Sequence, residues 1–320
     1  MINVEEKIAL IEKIYQPLWN SLEMCILCPR QCKINRLNKE IGFCGMKDEL
    51  VIFTAFLHKG EEPPISGENG SGTIFFSGCN LKCIYCQNYT FSHNLEGEII
   101  TIQDLAKIMV NLQNKNAHNI NLVTPTHFLP HILKALLIAF KKGLRIPIVY
   151  NTSGYEMVTI LEKISGIVDI YLADMKYIET STSKTYSFAE DYPKINQLAL
   201  KEMAKQVKEA KFLKDIMLKG LIVRHLIIPG YIEEAKRIIT WINDNLPYSY
   251  ISIMTQYQPY FKAKEHSTIN RTLSSSEYTL IKEFIENQDI KGWLQQFPPE
   301  EKLAGVYFKS QLKDLLDIKN

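Results

Sequence analysis

The chain has 320 residues, 46% hydrophobic and 22% charged, enough apolar content to bury a substantial core in one or two domains. Its 37 basic and 35 acidic side chains leave a net charge of +2 and are dispersed along the sequence, which excludes the clustered basic footprint of a nucleic-acid binder. The longest apolar run, near Leu133–Phe140, is too short to span a bilayer.

Glu5 and Glu6, followed by apolar Ile8, Ile11, Tyr15 and Leu18, lack the basic start and unbroken apolar stretch of a secretory signal. The spacing predicts an amphipathic helix, and the expected location is cytoplasmic. Four cysteines follow, Cys25, Cys28, Cys32 and Cys44. The Pro/Gly/Ser/Asn-rich stretch 61–72 reads as a loop or linker closing an N-terminal segment, residues 1–72. From Thr73 short apolar runs alternate with helical patterns. Strands are predicted at 73–77, 120–124, 146–151, 168–174, 221–228 and 250–255, most of them apolar nearly throughout, as in parallel strands covered on both faces. Helices are predicted from the capping-box-like Thr101-x-x-Asp104, over about 129–142, 155–165, 195–218 and 231–246, and from Ser274-x-x-Glu277.

This alternation predicts an α/β fold, a partial (β/α)6 TIM-like barrel or an open sheet of the same units, over residues 73–287, with 288–320 as a C-terminal extension. Active sites in barrels of this type sit at the C-terminal ends of the strands. Those ends read SGCNLKCIYC, VTPTH, YNTSG, LADMK, LIIPG and MTQYQPY, rich in small, polar and ionisable residues.

All seven cysteines lie within the first 86 residues. In a reducing compartment such clustering points to metal or catalysis rather than disulfides. Cys79, Cys83 and Cys86 form C-x3-C-x2-C directly after the first predicted barrel strand. A [4Fe–4S] cluster with four thiolates is closed; with three, one iron keeps an open position, as a catalytic metal does. Zinc would need a further ligand, for which His93 is the nearest candidate. Cys25, Cys28, Cys32 and Cys44 supply four thiolates, which suit either a second [4Fe–4S] cluster or structural zinc.

With Tyr85 in the aromatic position, Cys79–Cys86 resembles the C-x3-C-x-aromatic-C hallmark of the radical S-adenosylmethionine superfamily. Over about residues 73–265 the chain resembles the branch related to pyruvate formate-lyase activating enzymes. The resemblance implies that the open iron chelates S-adenosylmethionine and that reductive cleavage yields a deoxyadenosyl radical able to abstract hydrogen. It implies a reducing electron donor such as a flavodoxin or ferredoxin. Asn151-Thr152-Ser153-Gly154 stands where that branch has Asp-Thr-Asn-Gly, and Asp174-Met175-Lys176 matches its Asp-x-Lys. Both ends are thereby implied beside the methionine carboxylate. Arg224 through Gly230 resembles an Arg followed by Val-Val-Pro-Gly, which places Arg224 on the cofactor side and Ile228 near the adenine. His225 points away by strand alternation. The family's Gly-Gly-Glu is absent; Val123-Thr124-Pro125-Thr126-His127 replaces it, leaving Thr126 and backbone carbonyls to accept from the cofactor's ammonium.

Activating-enzyme resemblance implies hydrogen abstraction from a glycine in a partner glycyl radical enzyme. A radical enzyme acting on a small molecule or another protein side chain is the alternative, with Tyr257, Tyr260, Lys262 and His266 as residues able to face substrate. A non-catalytic iron–sulfur or zinc module is the reading from another class. No nucleic acid and no membrane is expected as partner.

Overall fold

A computed structural model describes residues 3–299 and 305–317. Ten strands form one mixed sheet: β1 (Val51–His58), β2 (Ser71–Phe76), β3 (Glu98–Ile99), β4 (Ile120–Val123), β5 (Ile148–Thr152), β6 (Ile170–Asp174), β7 (Lys211–Leu213), β8 (Ile216–Leu226), β9 (Tyr250–Met254) and β10 (Gly292–Leu294). Their order is β10-β9-β8-β6-β5-β4-β2-β1-β3, with β7 paired to β8. Neighbours from β2 to β10 are parallel, and the sheet does not close. The expected partial barrel is present as an open arc.

Each predicted strand is observed within a few residues. β8 starts earlier than expected, because the predicted helix over 195–218 stops at Val207. Lys208 and Lys214 adopt positive φ, and the reversal pairs Lys211–Leu213 antiparallel with the start of β8. Both capping boxes form: Thr101 Oγ1 accepts from Asp104 N–H at 3.0 Å, and Ser274 Oγ from Glu277 N–H at 3.2 Å. These contacts satisfy amide groups that the first helical turn leaves without partners.

The amino-terminal helix Val4–Asn20 buries Val4, Ile11 and Leu18. Lys7, also buried, forms an ion pair with Asp169, whose carboxylate takes the Ile148 amide at 2.8 Å. Strand β1 pairs antiparallel with β2, His58 opposite Ser71, so the residues before Thr73 contribute to the same sheet. The stretch expected as a linker is not an open loop. Pro63–Ser66 makes a helical turn, and Ile65 is buried against Val149, Ile170, Leu172, Met217 and Ile222. Strand alternation puts Val149, Ile170, Leu172 and Ile222 on the concave face, and Ile65 plugs its floor. Above them the same face carries Asn151, Asp174, Arg224 and Ser252, with Asp174 opposite Arg224 and Arg224 opposite Ser252. The helix-facing side chains, such as Tyr150, Ala173, Val223 and Ile253, belong to the main apolar core. Among the described residues no helix is long and apolar enough to cross a membrane.

Candidate active site

The cysteine loop leaves β2 through Gly78, whose φ of +84° and close approach to Cys44 O (2.7 Å from an added Cβ) admit glycine only. Cys79 N–H then donates to Cys44 O at 3.3 Å. Each thiol of the triad has one neighbour able to steer it. Leu81 N–H donates to Cys79 Sγ at 3.3 Å, Ser187 Oγ to Cys83 Sγ at 2.9 Å, and Ser92 Oγ lies 3.2 Å from Cys86 Sγ. Ser187 is in turn 2.7 Å from Tyr177 OH, and Tyr177 OH is 2.7 Å from Tyr85 OH. The aromatic residue of the motif therefore anchors a hydrogen-bond chain that ends on sulfur.

Burial pushes Cys79 up to about 12 and Cys86 up to about 11, with Cys83 adding repulsion in each case. Cys83 is raised by burial too, although Lys176 works against it. Thiols held this way deprotonate only for a cationic centre that replaces the proton. His93 is no fourth ligand: its Nε2 lies 3.1 Å from the Cys83 carbonyl oxygen, and burial lowers it to about 4. Among the described residues no set of three or more His, Cys, Asp or Glu is drawn up as ready-made ion geometry.

Cys79, Cys83 and Cys86 share a cavity of about 490 Å³ with Asn151, Thr152, Asp174, Lys176 and Arg224. Lys176 Nζ lies 2.6 Å from Asp174 Oδ2, and Arg224 Nε 2.8 Å from Asp174 Oδ1. Arg224 Nη2 donates to Asn151 Oδ1 at 2.7 Å. Burial works to raise Asp174, but Arg224 and Lys176 outweigh it and hold the carboxyl below its usual range. Asn151, standing where the resembled branch has a carboxylate, thus binds the guanidinium as a neutral acceptor.

Two expected site residues face elsewhere. Thr126 donates to Glu156 Oε1 at 2.5 Å, behind the cavity wall, because the 3₁₀ turn at Thr126–Phe128 rolls it into the core. Thr124, at φ +59°, and Val123 line the cavity there instead. Ile228 packs in the apolar cluster with Cys83, Tyr85 and Tyr257 and does not line the cavity. Of the substrate-facing candidates, Tyr257 and Tyr260 line it, while Lys262 and His266 do not. His225 points away as expected, its Nδ1 2.8 Å from Met175 O.

Glu156, also hydrogen-bonded by Thr152, is pushed up to about 7 by burial, against the two threonine hydroxyls. A carboxyl raised above its unfolded value favours the protonated fold. Stability is therefore full below about 4.5 and declines as pH rises through about 7. Glu156→Gln keeps both hydroxyl contacts. We expect it to shrink that decline and add about 1–3 kcal/mol at pH 8, measured by urea unfolding at pH 5 and pH 8.

Sequence reasoning missed Glu61, Glu62, His58 and Ser252, which line the opposite end of the cavity. Their one signal was the adjacent acidic pair before Pro63-Pro64, which is ordinary loop chemistry.

The four N-terminal cysteines come together around a tight turn: Gln31 N–H donates to Cys28 O at 3.0 Å and Lys33 N–H to Cys25 O at 3.0 Å. Cys25, Cys28 and Cys44 are buried, and Cys32 is half-buried. Burial raises Cys28 and Cys44. Arg30 ties this turn to the cysteine loop by donating to Asn80 O at 2.9 Å, and buried Arg36 donates to His127 O at 2.5 Å.

The Radical SAM superfamily model matches residues 73–242, more than half of the chain and the whole stretch from the cysteine loop through β8. The chain belongs to the radical S-adenosylmethionine superfamily. An uncharacterized protein of Methanocaldococcus jannaschii is 32% identical over 284 residues, covering 85% of this chain and 77% of that protein. Methylornithine synthase shares the fold, with a TM-score of 0.50 at 12% identity, over 99% of this chain and 80% of that one. Streptococcus suis SuiB bound to S-adenosylmethionine matches at a TM-score of 0.49 and 11% identity over 68% of this chain, which spans 48% of that one.

Radical S-adenosylmethionine proteins are enzymes that bind a [4Fe–4S] cluster and S-adenosylmethionine, and the residues here suit both. Three thiols, Cys83 buried and Cys79 and Cys86 half-buried, each with a hydrogen-bonding neighbour, would hold the cluster. Lys176 and Asn151 would hold the anionic end of the cofactor, while the Thr152 hydroxyl, like that of Thr126, is given to Glu156.

Proposed function

We propose that this radical S-adenosylmethionine enzyme abstracts hydrogen from a substrate bound in the cavity between Cys79–Cys86 and the Glu61–Glu62 floor. The reading rests on one observation: the thiol triad and the Asp174–Lys176–Arg224–Asn151 group line the same cavity. When bound and reduced, the cluster supplies the electron that breaks a C–S bond of S-adenosylmethionine. The chain's own residues do the rest. Lys176 would orient the carboxylate, and Ser187, itself 2.7 Å from Tyr177 OH, fixes Cys83.

For the hydrogen donor, the activating-enzyme reading puts a glycine of a partner protein in the cavity, and the matches at Asp174-Met175-Lys176 and Arg224 support it. A small molecule or a single side chain is the second reading, favoured by the floor that Ile65 closes. We further propose that Cys25, Cys28, Cys32 and Cys44 hold a second [4Fe–4S] cluster or zinc, that a flavodoxin or ferredoxin supplies electrons, and that the enzyme works in the cytoplasm.

Anaerobic reconstitution followed by dithionite and S-adenosylmethionine tests the central claim. Release of 5′-deoxyadenosine is expected. Its absence from protein carrying about four irons or more overturns the reading.

A further inference from the structure

Superfamily chemistry accounts for the thiol end of the cavity and leaves the floor unexplained. His58 pairs with Ser71 at the start of β2, whereas Cys79 follows the end of that strand. Glu61 and Glu62, just after His58, therefore sit at the opposite end of the cavity from the cysteines. Arg224 lies between the two ends.

The charges around Arg224 are unevenly answered. Its short contacts go to Asp174 at 2.8 Å and Asn151 at 2.7 Å, and Lys176 is also spent on Asp174. Glu61 stands 3.7 Å from Arg224 and has His58 Nδ1 at 3.3 Å. The His58 ring therefore answers Glu61. Glu62 is served worst. Ser252 Oγ donates to one of its oxygens at 3.1 Å, and Arg224 at 4.0 Å is the one cation within ion-pairing distance among the described residues. Its other oxygen has no hydrogen-bond partner, nor has Nε2 of His58. The Glu62 side chain is 6% exposed and lines the cavity beside Trp293, Met254 and Phe308.

A buried carboxylate without a close cation is costly. Accordingly, burial pushes Glu62 up to about 7 despite the nearby guanidinium. A cationic ligand removes that cost by replacing the proton.

We propose that the cavity floor is a recognition subsite for a positively charged group of the substrate, an ammonium or guanidinium, with Glu62 as its partner and Glu61 beside it. That this group belongs to the substrate rests on the radical reading above; the binding itself does not. The apolar walls cover the rest of the molecule, and the charge at the floor directs a C–H bond toward the thiol end.

Calorimetric titration of the anaerobic holoprotein with agmatine, 1,5-pentanediol and glutarate tests this without turnover. Agmatine is expected to bind, with the neutral and anionic probes weaker by about tenfold or more. Glu62→Gln is expected to weaken agmatine by about tenfold or more, its fold checked by circular dichroism. Equal binding of pentanediol and agmatine by the unmodified protein overturns the proposal even if the variant misfolds. Unchanged agmatine affinity in a folded Glu62→Gln overturns it as well. A holoprotein that binds agmatine but releases no deoxyadenosine sinks the radical reading and supports the cation subsite.

Discussion

Cys83→Ala is expected to abolish deoxyadenosine release, with iron content falling in parallel. Two thiolates cannot hold a cluster that needs three, and no neighbouring side chain is placed to substitute. His93 offers its ring nitrogen to the Cys83 carbonyl, not to the sulfur cavity. Ser187, now bonded to Cys83 Sγ, would lose that acceptor, a small cost beside the lost ligand. The fold itself should survive, because alanine keeps the backbone and removes one sulfur atom from the apolar cluster of Tyr85, Tyr177 and Ile228 around it. Deoxyadenosine formation and iron content measured on the same anaerobic preparation decide the matter. Cleavage at the unmodified rate would remove Cys83 from the ligand set.

Arg224→Met is expected to be the most destabilising single change in the cavity. Arg224 lies between Asp174, Glu61 and Glu62, and its removal leaves Lys176 to answer Asp174 and little to answer the pair on the floor. Breaking a buried ionic network in this way costs about 3–5 kcal/mol, readable as a lower urea midpoint. The second variant Arg224→Met/Glu62→Gln should recover part of the loss at pH 8, because the guanidinium that holds the buried Glu62 carboxyl down is gone and keeping that group, charged or protonated, then costs the fold more. Equal midpoints for the single and double variants at that pH would show that Glu62 and Arg224 are not coupled.

Much of the site was legible because it is written in short stretches. Cys79, Cys83 and Cys86 occupy one loop, and Asp174 and Lys176 end one strand. Thr126 stands off the cavity for a local reason of another kind: spacing cannot say which way a 3₁₀ turn rotates a side chain, and its hydroxyl goes to Glu156. Ile228 followed the same pattern, lying past the end of β8 where strand alternation no longer dictates direction. The helix expected over 195–218 overran because the reversal at Lys208 and Lys214 uses positive φ at lysine, a residue type that gives no turn signal.

By itself, then, the sequence determined the strand and helix alternation, the cysteine spacing and the polar strand ends, since each depends on neighbours within a few positions. Only the tertiary structure decided that β1 turns back along β2, carries Glu61 and Glu62 under the sheet, and sets them against Arg224 and Ser252. Those partners lie far apart in the chain. Their meeting depends on strand register and on burial, which raises the energy of an unanswered charge.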